Sequence, residues 1–433
     1  MNKIIRISKD KQYLFLLLYR IFLDIVYKEQ ICRYFGYSGF KFKFNLGLLF
    51  ISWLLLFLAF PIIKKCVSDD CFSSVIMLFL VYLSYIPFTT MIAFQNFDIS
   101  YVISNVLYWM VVFIFFLFSP KATNYITLKT NRNDEILFII EIFFILLVIY
   151  ISYKFTGFRF TISLSNVYQY RSEMAQASLP TLLRYFYSSS KTILPILLLY
   201  SLKKNDILNV FFIVIIQILN FSINGAKTVL FSTFLAIILY YIYNSFYLRL
   251  VPFFLTILCI LSLLETILFR TINIMSYVIR RVLFLPNLIS SYYFDFFTKN
   301  EPDFFRQGFL RFFGIKSPYD EIDHLIGEVY FGNKAMGANN GLISDAITNF
   351  GIIGIIIMPI LLIIILRLID KCAYGIDKKL YIVLSVLYAF MIISSFITTI
   401  LLTHGLLFMA IILLLIPRNN KKEERKKHIR FCK

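Results

Sequence analysis

Long apolar runs, separated by short polar stretches, fill most of this 433-residue chain. A run of roughly 20 apolar residues is long enough to cross a hydrocarbon core about 30 Å thick as an α-helix. About twelve such runs occur, and each predicts a transmembrane helix. They lie near residues 12–28, 46–63, 74–93, 101–119, 136–153, 185–202, 206–222, 226–244, 251–269, 341–366, 379–397 and 399–416. The last two are so close, around Thr399 to His404, that a hairpin or a broken helix is expected there.

One polar stretch, residues 270–340, interrupts this pattern and contains eight of the lysines and arginines. A membrane protein that keeps about 70 residues out of the lipid usually uses them for binding or catalysis. We therefore expect one large extracytoplasmic loop that carries short helices and holds the functional site. A purely solvating role is the alternative, because the seven acidic residues between Asp295 and Glu328 also suit a hydrated loop.

Composition supports a membrane protein. Hydrophobic residues make up 60% of the chain and charged residues only 15%, whereas charged residues alone reach about a quarter in soluble domains. The mean hydropathy is +0.79. The sequence therefore predicts an all-α polytopic membrane protein in which residues 1–433 form a single integral-membrane domain.

The net charge of +19 does not indicate a nucleic-acid partner, because the basic residues lie between apolar spans. There they orient helices and meet anionic membrane lipids. An even number of spans puts both termini on one face, and the basic pairs Lys64–Lys65 and Lys378–Lys379 share it with the basic tail 417–433. That face is expected to be cytoplasmic.

Common catalytic motifs are absent: the chain has no GxSxG, GxxxxGK[ST], HExxH or GxGxxG sequence. Six scattered cysteines show neither a disulfide framework nor paired metal-binding spacing. Asp320, Glu321 and Asp323 could hold a divalent ion through their oxygens. Exposed carboxylates are usually only solvated, so no metal and no cofactor is expected.

Arginines are the first group of candidate site residues. A planar guanidinium binds phosphate oxygens in pairs and keeps its charge at any working pH. At a membrane surface the matching anion is a lipid-linked pyrophosphate, and the alternative is simple pairing with lipid headgroups. The arginines concerned are Arg171, Arg280, Arg281, Arg306 and Arg311.

Amides and one carboxylate near the start of the span at 341–366 form a second group. Asn339, Asn340, Asp345 and Asn349 could hydrogen-bond sugar hydroxyls, and 345 and 349 share a helix face. Ordinary helix-start and packing roles are the alternative. Lys227, at a break between spans, could meet an anion or extend outward to the interface.

Three segments, RVLFLPNLISSYYFDFF, GEVYFGN and ANNGLISDAITNFGIIG, resemble in order and spacing the signature run of the Wzy-type O-antigen and oligosaccharide repeat-unit polymerases. SNVYQYRSEMA resembles the earlier external-loop arginine segment of that family. NGAKTVL lies where many members have a small-residue run ending in Arg, and Lys227 replaces that Arg here.

The resemblance implies an enzyme of the bacterial cytoplasmic membrane that transfers a growing glycan from one undecaprenyl-pyrophosphate carrier to another lipid-linked repeat unit, outside the membrane. It implies no nucleotide sugar, and it makes a chain-length regulator protein a candidate partner.

In this reading Arg171, Arg281 and Arg306 bind pyrophosphates and stabilise the leaving group as its charge grows. His324 acts as base or orients the acceptor, because it is the one loop residue that titrates near neutrality. Glu328 is a second candidate base.

Two other functions remain open on the sequence. An O-antigen ligase would discharge the same kind of donor onto a lipid A core. A transporter, including a flippase for the lipid-linked unit, would typically show repeated halves and charges within its spans. This chain has few such charges, among them Arg20, Asp24, Glu141 and Glu265, and no visible repeat.

Overall fold

The computed structural model describes residues 2–123, 126, 132–162, 166–175 and 179–418, and within those ranges the chain contains helices and no strand. Seventeen helices position the parts discussed below. In chain order they are α1 Asn2–Val26, α2 Leu46–Asp69, α3 Phe72–Phe94, α4 Ile99–Phe118, α5 Asn133–Thr156, α6 Val167–Ala175, α7 Thr181–Lys203, α8 Ile207–Asn224, α9 Lys227–Ile242, α10 Tyr247–Phe269, α11 Leu285–Phe297, α12 Ile322–Phe331, α13 Ile343–Phe350, α14 Gly354–Ala373, α15 Ile382–Ser394, α16 Ile397–Leu401 and α17 Leu406–Leu415. The basic tail lies outside these residues from position 419 onward.

Eight helical segments in the described ranges are long and apolar enough to cross a membrane. They are α2, α3, α4, α5, α8 and α10, together with the segments Ile343–Ala373 and Ile397–Leu415. Two further apolar helices, α9 and α15, are shorter. The other two windows predicted from the sequence fall on α1 and α7, which carry charged residues such as Arg20 and Lys191. The architecture is that of a helical multi-pass membrane protein.

Helix ends follow local chemistry. The side chains of Asn45, Asp98 and Asp206 accept hydrogen bonds from backbone N–H groups in the first turns of α2, α4 and α8. These bonds satisfy donors that have no partner within the helix. The break expected near Thr399 to His404 is present, because α16 ends at Leu401 and α17 begins at Leu406. Gly405 lies at that break with φ +71°, a conformation that glycine adopts without a side-chain penalty.

The chain divides into two compact units. The first contains Met1–Pro120, Asn244–Leu366 and Tyr388–Thr399. In it α1 packs against α10, α2 against α3, and α11 against α13. Arg20 of α1 is fully buried, pairs with Asp24, and donates to Ser52 Oγ at 2.9 Å and Thr89 Oγ1 at 3.2 Å. This buried charge therefore joins three helices, α1, α2 and α3.

The second unit contains Lys121–Tyr243, Arg367–Leu387 and Ile400–Lys433. Its centre is α7, which packs against α5, α8, α9 and α17. Thr192 of α7 donates to the carbonyl of His404 at 2.9 Å, beside the break that precedes α17. A Cβ at Gly405 would lie 2.9 Å from the Ser189 Cβ atom, so glycine also permits the close approach of α17 to α7.

The beginning of the 270–340 stretch is helical. A π-helical segment, Met275–Phe284, leads directly into α11, and the two form one continuous helical piece. Pro286 lies where the two join, and because it has no N–H it interrupts the helical hydrogen bonds at that position. One face of α11 is buried, including Leu288, Tyr293 and Phe297. The polar residues of α11 form hydrogen bonds with neighbouring segments of the first unit.

Candidate functional site

The candidate site is built in the first unit on α11, α12 and α13. The buried amide of Asn287, on α11, donates to the carbonyl of Ser84 at 3.2 Å. The Tyr101 hydroxyl, on α4, donates to the carbonyl of Asn287 at 3.0 Å. These bonds fix α11 against α3 and α4. A rigid helix of this kind is a suitable base for a site, because its side chains keep their positions.

The three segments that carry the family resemblance meet at α11. Asn340, just before α13, donates to Ser290 Oγ at 2.9 Å and to the Pro286 carbonyl at 2.8 Å. On the other side, the Tyr292 ring stacks on Tyr330 of α12 with their centroids 4.7 Å apart, and the Tyr330 hydroxyl donates to Asp295 at 2.6 Å. Hydrogen bonds between residues 35 to 54 positions apart in the sequence therefore join these segments into one local structure.

Glycine at position 341 lets the start of α13 approach α15. A Cβ there would lie 2.1 Å from the Ile392 carbonyl oxygen, which is closer than real Cβ atoms come to any atom. The backbone N–H of Gly341 donates to the Ile393 carbonyl at 2.9 Å. The Asn-Asn-Gly sequence was predicted to bind sugar or to start a helix. Its glycine, Gly341, is a packing position where a larger residue would clash with the α15 backbone.

His324 lies in the first turns of α12, with 38% of its side chain exposed. Its Nδ1 lies 2.9 Å from the carbonyl oxygen of Lys334. Because a carbonyl only accepts, Nδ1 must carry a proton, and in the neutral ring Nε2 is then the basic nitrogen. Nε2 lies 3.6 Å from Glu321 Oε2. The bond to Lys334 and the charges of Asp323 and Glu321 raise the pKa of His324 above its ordinary value.

Acidic groups surround that ring. Glu321, Asp323 and His324 offer ligand atoms that lie within 4.8 Å of one another, so they are the described residues that could hold a cation together. Glu328 lies one helical turn after His324, with its Oε1 3.7 Å from Lys334 Nζ. Asn339 is exposed. The α12 cluster, defined as Glu321, Asp323, His324, Glu328 and Asn339, therefore combines a titratable base with exposed hydrogen-bonding groups.

An ordered loop, residues 298–321, connects α11 to α12. Buried Asp303 accepts from Ser317 Oγ at 2.6 Å and from the backbone N–H of Gln307 at 2.8 Å. Phe304 and Phe305 have φ of 51° and 61°, a left-handed conformation that costs non-glycine residues about 1–3 kcal/mol each. The strain is held in place because the N–H of Phe305 donates to Asn349 Oδ1 at 2.8 Å.

Arg306 belongs to the hydrogen-bond network of this loop. Its guanidinium donates to Glu301 Oε1 at 2.9 Å, to the Pro302 carbonyl at 2.7 Å and to the Asp303 carbonyl at 2.8 Å. Only 18% of its side chain is exposed. The sequence predicts a phosphate-binding arginine here, and the structure gives the guanidinium partners within its own loop.

The other predicted cations differ in their surroundings. Arg280 lies over the Phe35 ring at 4.2 Å, and burial lowers its pKa. Arg281 and Arg311 are exposed. Arg171 and Lys227 belong to the second unit, where both are exposed, Arg171 on α6 and Lys227 at the first position of α9.

Three predicted sugar-binding residues are buried structural groups. Asn340 has the α11 partners described above. Asp345 accepts from the Ile397 backbone N–H at 2.6 Å, at the start of α16, and from Asn349 Nδ2 at 2.7 Å. These side chains are 2–3% exposed. Asp345 and Asn349 do share one face of α13, but that face points into the protein rather than toward a ligand.

No family model, curated protein or solved structure matches this chain. The indications of function are therefore the geometry of the α12 cluster and the sequence.

Asp303, Gln307 and Ser317, which hold the loop that leads into the cluster, were not predicted from the sequence. Their one signal was an unusually dense run of polar residues between α11 and α12.

Proposed function

We propose that this protein polymerises lipid-linked oligosaccharide repeat units, transferring a growing glycan from one undecaprenyl-pyrophosphate carrier onto the sugar of a second lipid-linked unit. In this proposal the chain crosses the bacterial cytoplasmic membrane about twelve times with both termini in the cytoplasm. Residues from about 298 to 340 then face the outside, and the α12 cluster is the reaction site.

The convergence of the three resembling segments on α11 carries this proposal. A chance similarity spread over 281–297, 327–333 and 338–354 would not need to fold into one place. Here Asn340, Ser290 and Tyr330 join those segments by direct contacts. The convergence leaves His324 and Glu328 on the exposed side of α12, where a substrate in the membrane surface could reach them.

His324 supplies the proton acceptor in the proposed reaction. The acceptor sugar hydroxyl attacks the anomeric carbon of the donor, the bond from that carbon to the pyrophosphate oxygen breaks, and the hydroxyl proton passes to Nε2. The Lys334 carbonyl, by holding the proton on Nδ1, keeps Nε2 as the accepting atom. General-base catalysis of this kind contributes about 10²–10⁴-fold to a rate.

Arg281 is the arginine assigned to the leaving pyrophosphate, because it is exposed and lies in the last turn of the π-helical segment that leads into α11. Arg306 acts by positioning: its bonds hold the loop 298–321, which sets the start of α12. The roles predicted for Arg171 and Lys227 stay predictions from the sequence.

Glycan length in cells tests the proposal. Deleting the gene should leave a single repeat unit on the lipid A core, whereas loss of a ligase would leave the core bare and loss of a flippase would leave the unit on the cytoplasmic side. Arg281→Ala should shorten the glycan ladder, with Arg270→Ala, at another exposed arginine, as the matched control. Normal ladders from correctly inserted Arg281→Ala protein would remove this residue from the mechanism.

A further inference from the structure

A short apolar and basic segment, residues 309–316, projects from the ordered loop between α11 and α12. Its sequence is FLRFFGIK. Phe309, Phe312, Phe313 and Ile315 are 46–70% exposed. The Phe309 and Phe313 rings meet edge to face with centroids 5.5 Å apart, so the exposed side chains form one patch. We name these residues, with Arg311 and Lys316, the FLRFFGIK patch.

The base of the loop fixes where this patch lies along the helix bundle. The backbone N–H of Asp303 donates to the Thr348 carbonyl at 2.6 Å, at the end of α13. Pro302 lies against Gly351, where a Cβ would meet its ring at 3.2 Å. The loop is therefore attached where α13 ends and α14 begins.

That level matches a membrane boundary. α14 belongs to the candidate membrane span Ile343–Ala373, and its last turns carry Arg367, Asp370 and Lys371. Because about 20 residues cross a hydrocarbon core about 30 Å thick, a boundary near Arg367 places the opposite boundary near the end of α13. Ile352 and Ile353, just before α14, are 64% and 66% exposed, as expected for side chains that face lipid. The FLRFFGIK patch projects from the loop attached at that end of α14.

The charges of the patch suit anionic lipid. Arg311 and Lys316 are exposed, and in the part of the chain that the structure describes neither forms an ion pair with a carboxylate. Interfacial segments combine aromatic rings that enter the headgroup region with basic side chains that attract anionic headgroups. Exposed aromatic rings alone would also suit a protein partner. Here Arg311 lies between Phe309 and Phe312, and Lys316 follows Ile315, which is the mixture of basic and apolar side chains found in lipid-facing segments.

We propose that the FLRFFGIK patch inserts into the headgroup region of an anionic membrane leaflet and anchors the loop 298–321 to the bilayer surface. Phe309, Phe312, Phe313 and Ile315 enter the boundary between headgroups and acyl chains, while Arg311 and Lys316 meet headgroup phosphates. The anchor fixes the height of the loop that leads into α12. This inference does not depend on the polymerase proposal, and its test measures no glycan.

Fluorescence in vesicles tests the anchor. Phe313→Trp protein is reconstituted into phosphatidylcholine vesicles with and without phosphatidylglycerol, and the emission of the parent protein, from Trp53 and Trp109, is subtracted. Lipids brominated at the headgroup end of the acyl chain should quench the added emission more than lipids brominated near the tail end. The matched control is Tyr319→Trp in the same loop, whose ring packs against Phe296 and Phe297 at 5.9 and 5.7 Å.

We expect at least about twofold more quenching by the shallow bromine for Phe313→Trp than for Tyr319→Trp, and more in vesicles that contain phosphatidylglycerol. Adding Arg311→Gln and Lys316→Gln should remove the dependence on phosphatidylglycerol. Quenching by aqueous acrylamide without quenching by bromine would overturn the proposal, because the ring would then lie in water. Protection from both quenchers would also overturn it, since a second protein or a second copy would then cover the patch.

Each variant is first compared with the parent by size-exclusion chromatography. If Phe313→Trp does not give a single folded species, Phe312→Trp, at a 57% exposed position of the same patch, replaces it with the same expected result.

Discussion

Arg20 and His324 are both ionisable residues of the first unit, and their surroundings are opposite. Arg20 has no exposed surface, and its guanidinium bonds to Asp24, Ser52 and Thr89. His324 is 38% exposed, and one of its ring nitrogens is held by a backbone carbonyl while the other faces Glu321 at 3.6 Å. Removing one partner of a buried charge pair destabilises a structure, whereas an exposed and oriented base can exchange protons with a substrate.

Removing the buried charge is expected to have the largest effect on stability. Arg20→Leu leaves the Asp24 carboxylate without its cation, and breaking a buried pair in this way costs about 3–5 kcal/mol. The thermal midpoint of the detergent-solubilised protein should fall, and much of it should aggregate. The control is the double variant Arg20→Leu with Asp24→Leu, which removes both charges and should recover part of the loss. A single variant as stable as the parent would mean that the three-helix junction is not held by this residue.

His324 should show the reverse behaviour. His324→Ala should lower the rate of glycan lengthening by isolated membranes about 10²–10⁴-fold, since a general base contributes that much. Its thermal midpoint should stay near that of the parent, because surface substitutions usually change stability by less than about 0.5 kcal/mol. His324→Gln, which keeps a hydrogen-bonding side chain but cannot act as a base, should be as slow as the alanine variant. An active His324→Gln protein would assign the residue to positioning.

Smaller effects on stability are expected in the loop 298–321, where Arg306 and Glu301 form an ion pair. Arg306→Ala removes the side-chain donor to Glu301 and to the Pro302 carbonyl, while the Asp303 carbonyl keeps the backbone N–H of residue 306, and the change should lower stability by about 1–3 kcal/mol. Glu301→Gln removes only the charge of the carboxylate that pairs with Arg306. Because the Glu301 side chain is 60% exposed, this change should lower stability by at most about 1 kcal/mol. Thermal midpoints of the two proteins give the comparison. Equal losses would indicate that the ion pair, rather than the backbone bonds, holds the loop.

The smallest expected effect is a displacement of the pH profile. In the proposed mechanism the neutral ring is the active form, so the rate should fall about tenfold for each unit of pH below the pKa of His324. The Glu321 charge helps to raise that pKa, so Glu321→Gln should lower it and move the acid limb toward lower pH. Glu321 is 72% exposed, so screening by solvent and salt should keep the displacement small. A limb that moves toward higher pH would contradict the assigned base.

The apolar helices were predictable because their signal is local. The window 101–119 corresponds to Ile99–Phe118, and 74–93 to Phe72–Phe94. The burial of α11 was not predictable in the same way. Asn287, Ser290 and Asn340 read as polar surface residues in the sequence, and only tertiary contacts show that they satisfy one another inside the unit. The same reason explains Asp345, whose partner Ile397 lies 52 positions later.

At the candidate site, His324 was predicted from its chemistry, since it is the one histidine within 270–340. What the sequence could not supply was its orientation, which depends on the Lys334 carbonyl ten residues away. The role of Arg306 was also beyond sequence reasoning. An arginine that binds phosphate and one that binds nearby carbonyls have the same local sequence, and the difference lies in the turn at Phe304 and Phe305.

We propose that glycan transfer occurs at the α12 cluster. A reaction with purified protein is the direct test of this proposal. Protein in detergent is mixed with a lipid-linked repeat unit, without nucleotide sugar, and the products are separated by length. The parent protein should give ladders, and equally folded His324→Ala protein should give only starting material. Ladders of parental length and rate from His324→Ala protein would contradict it.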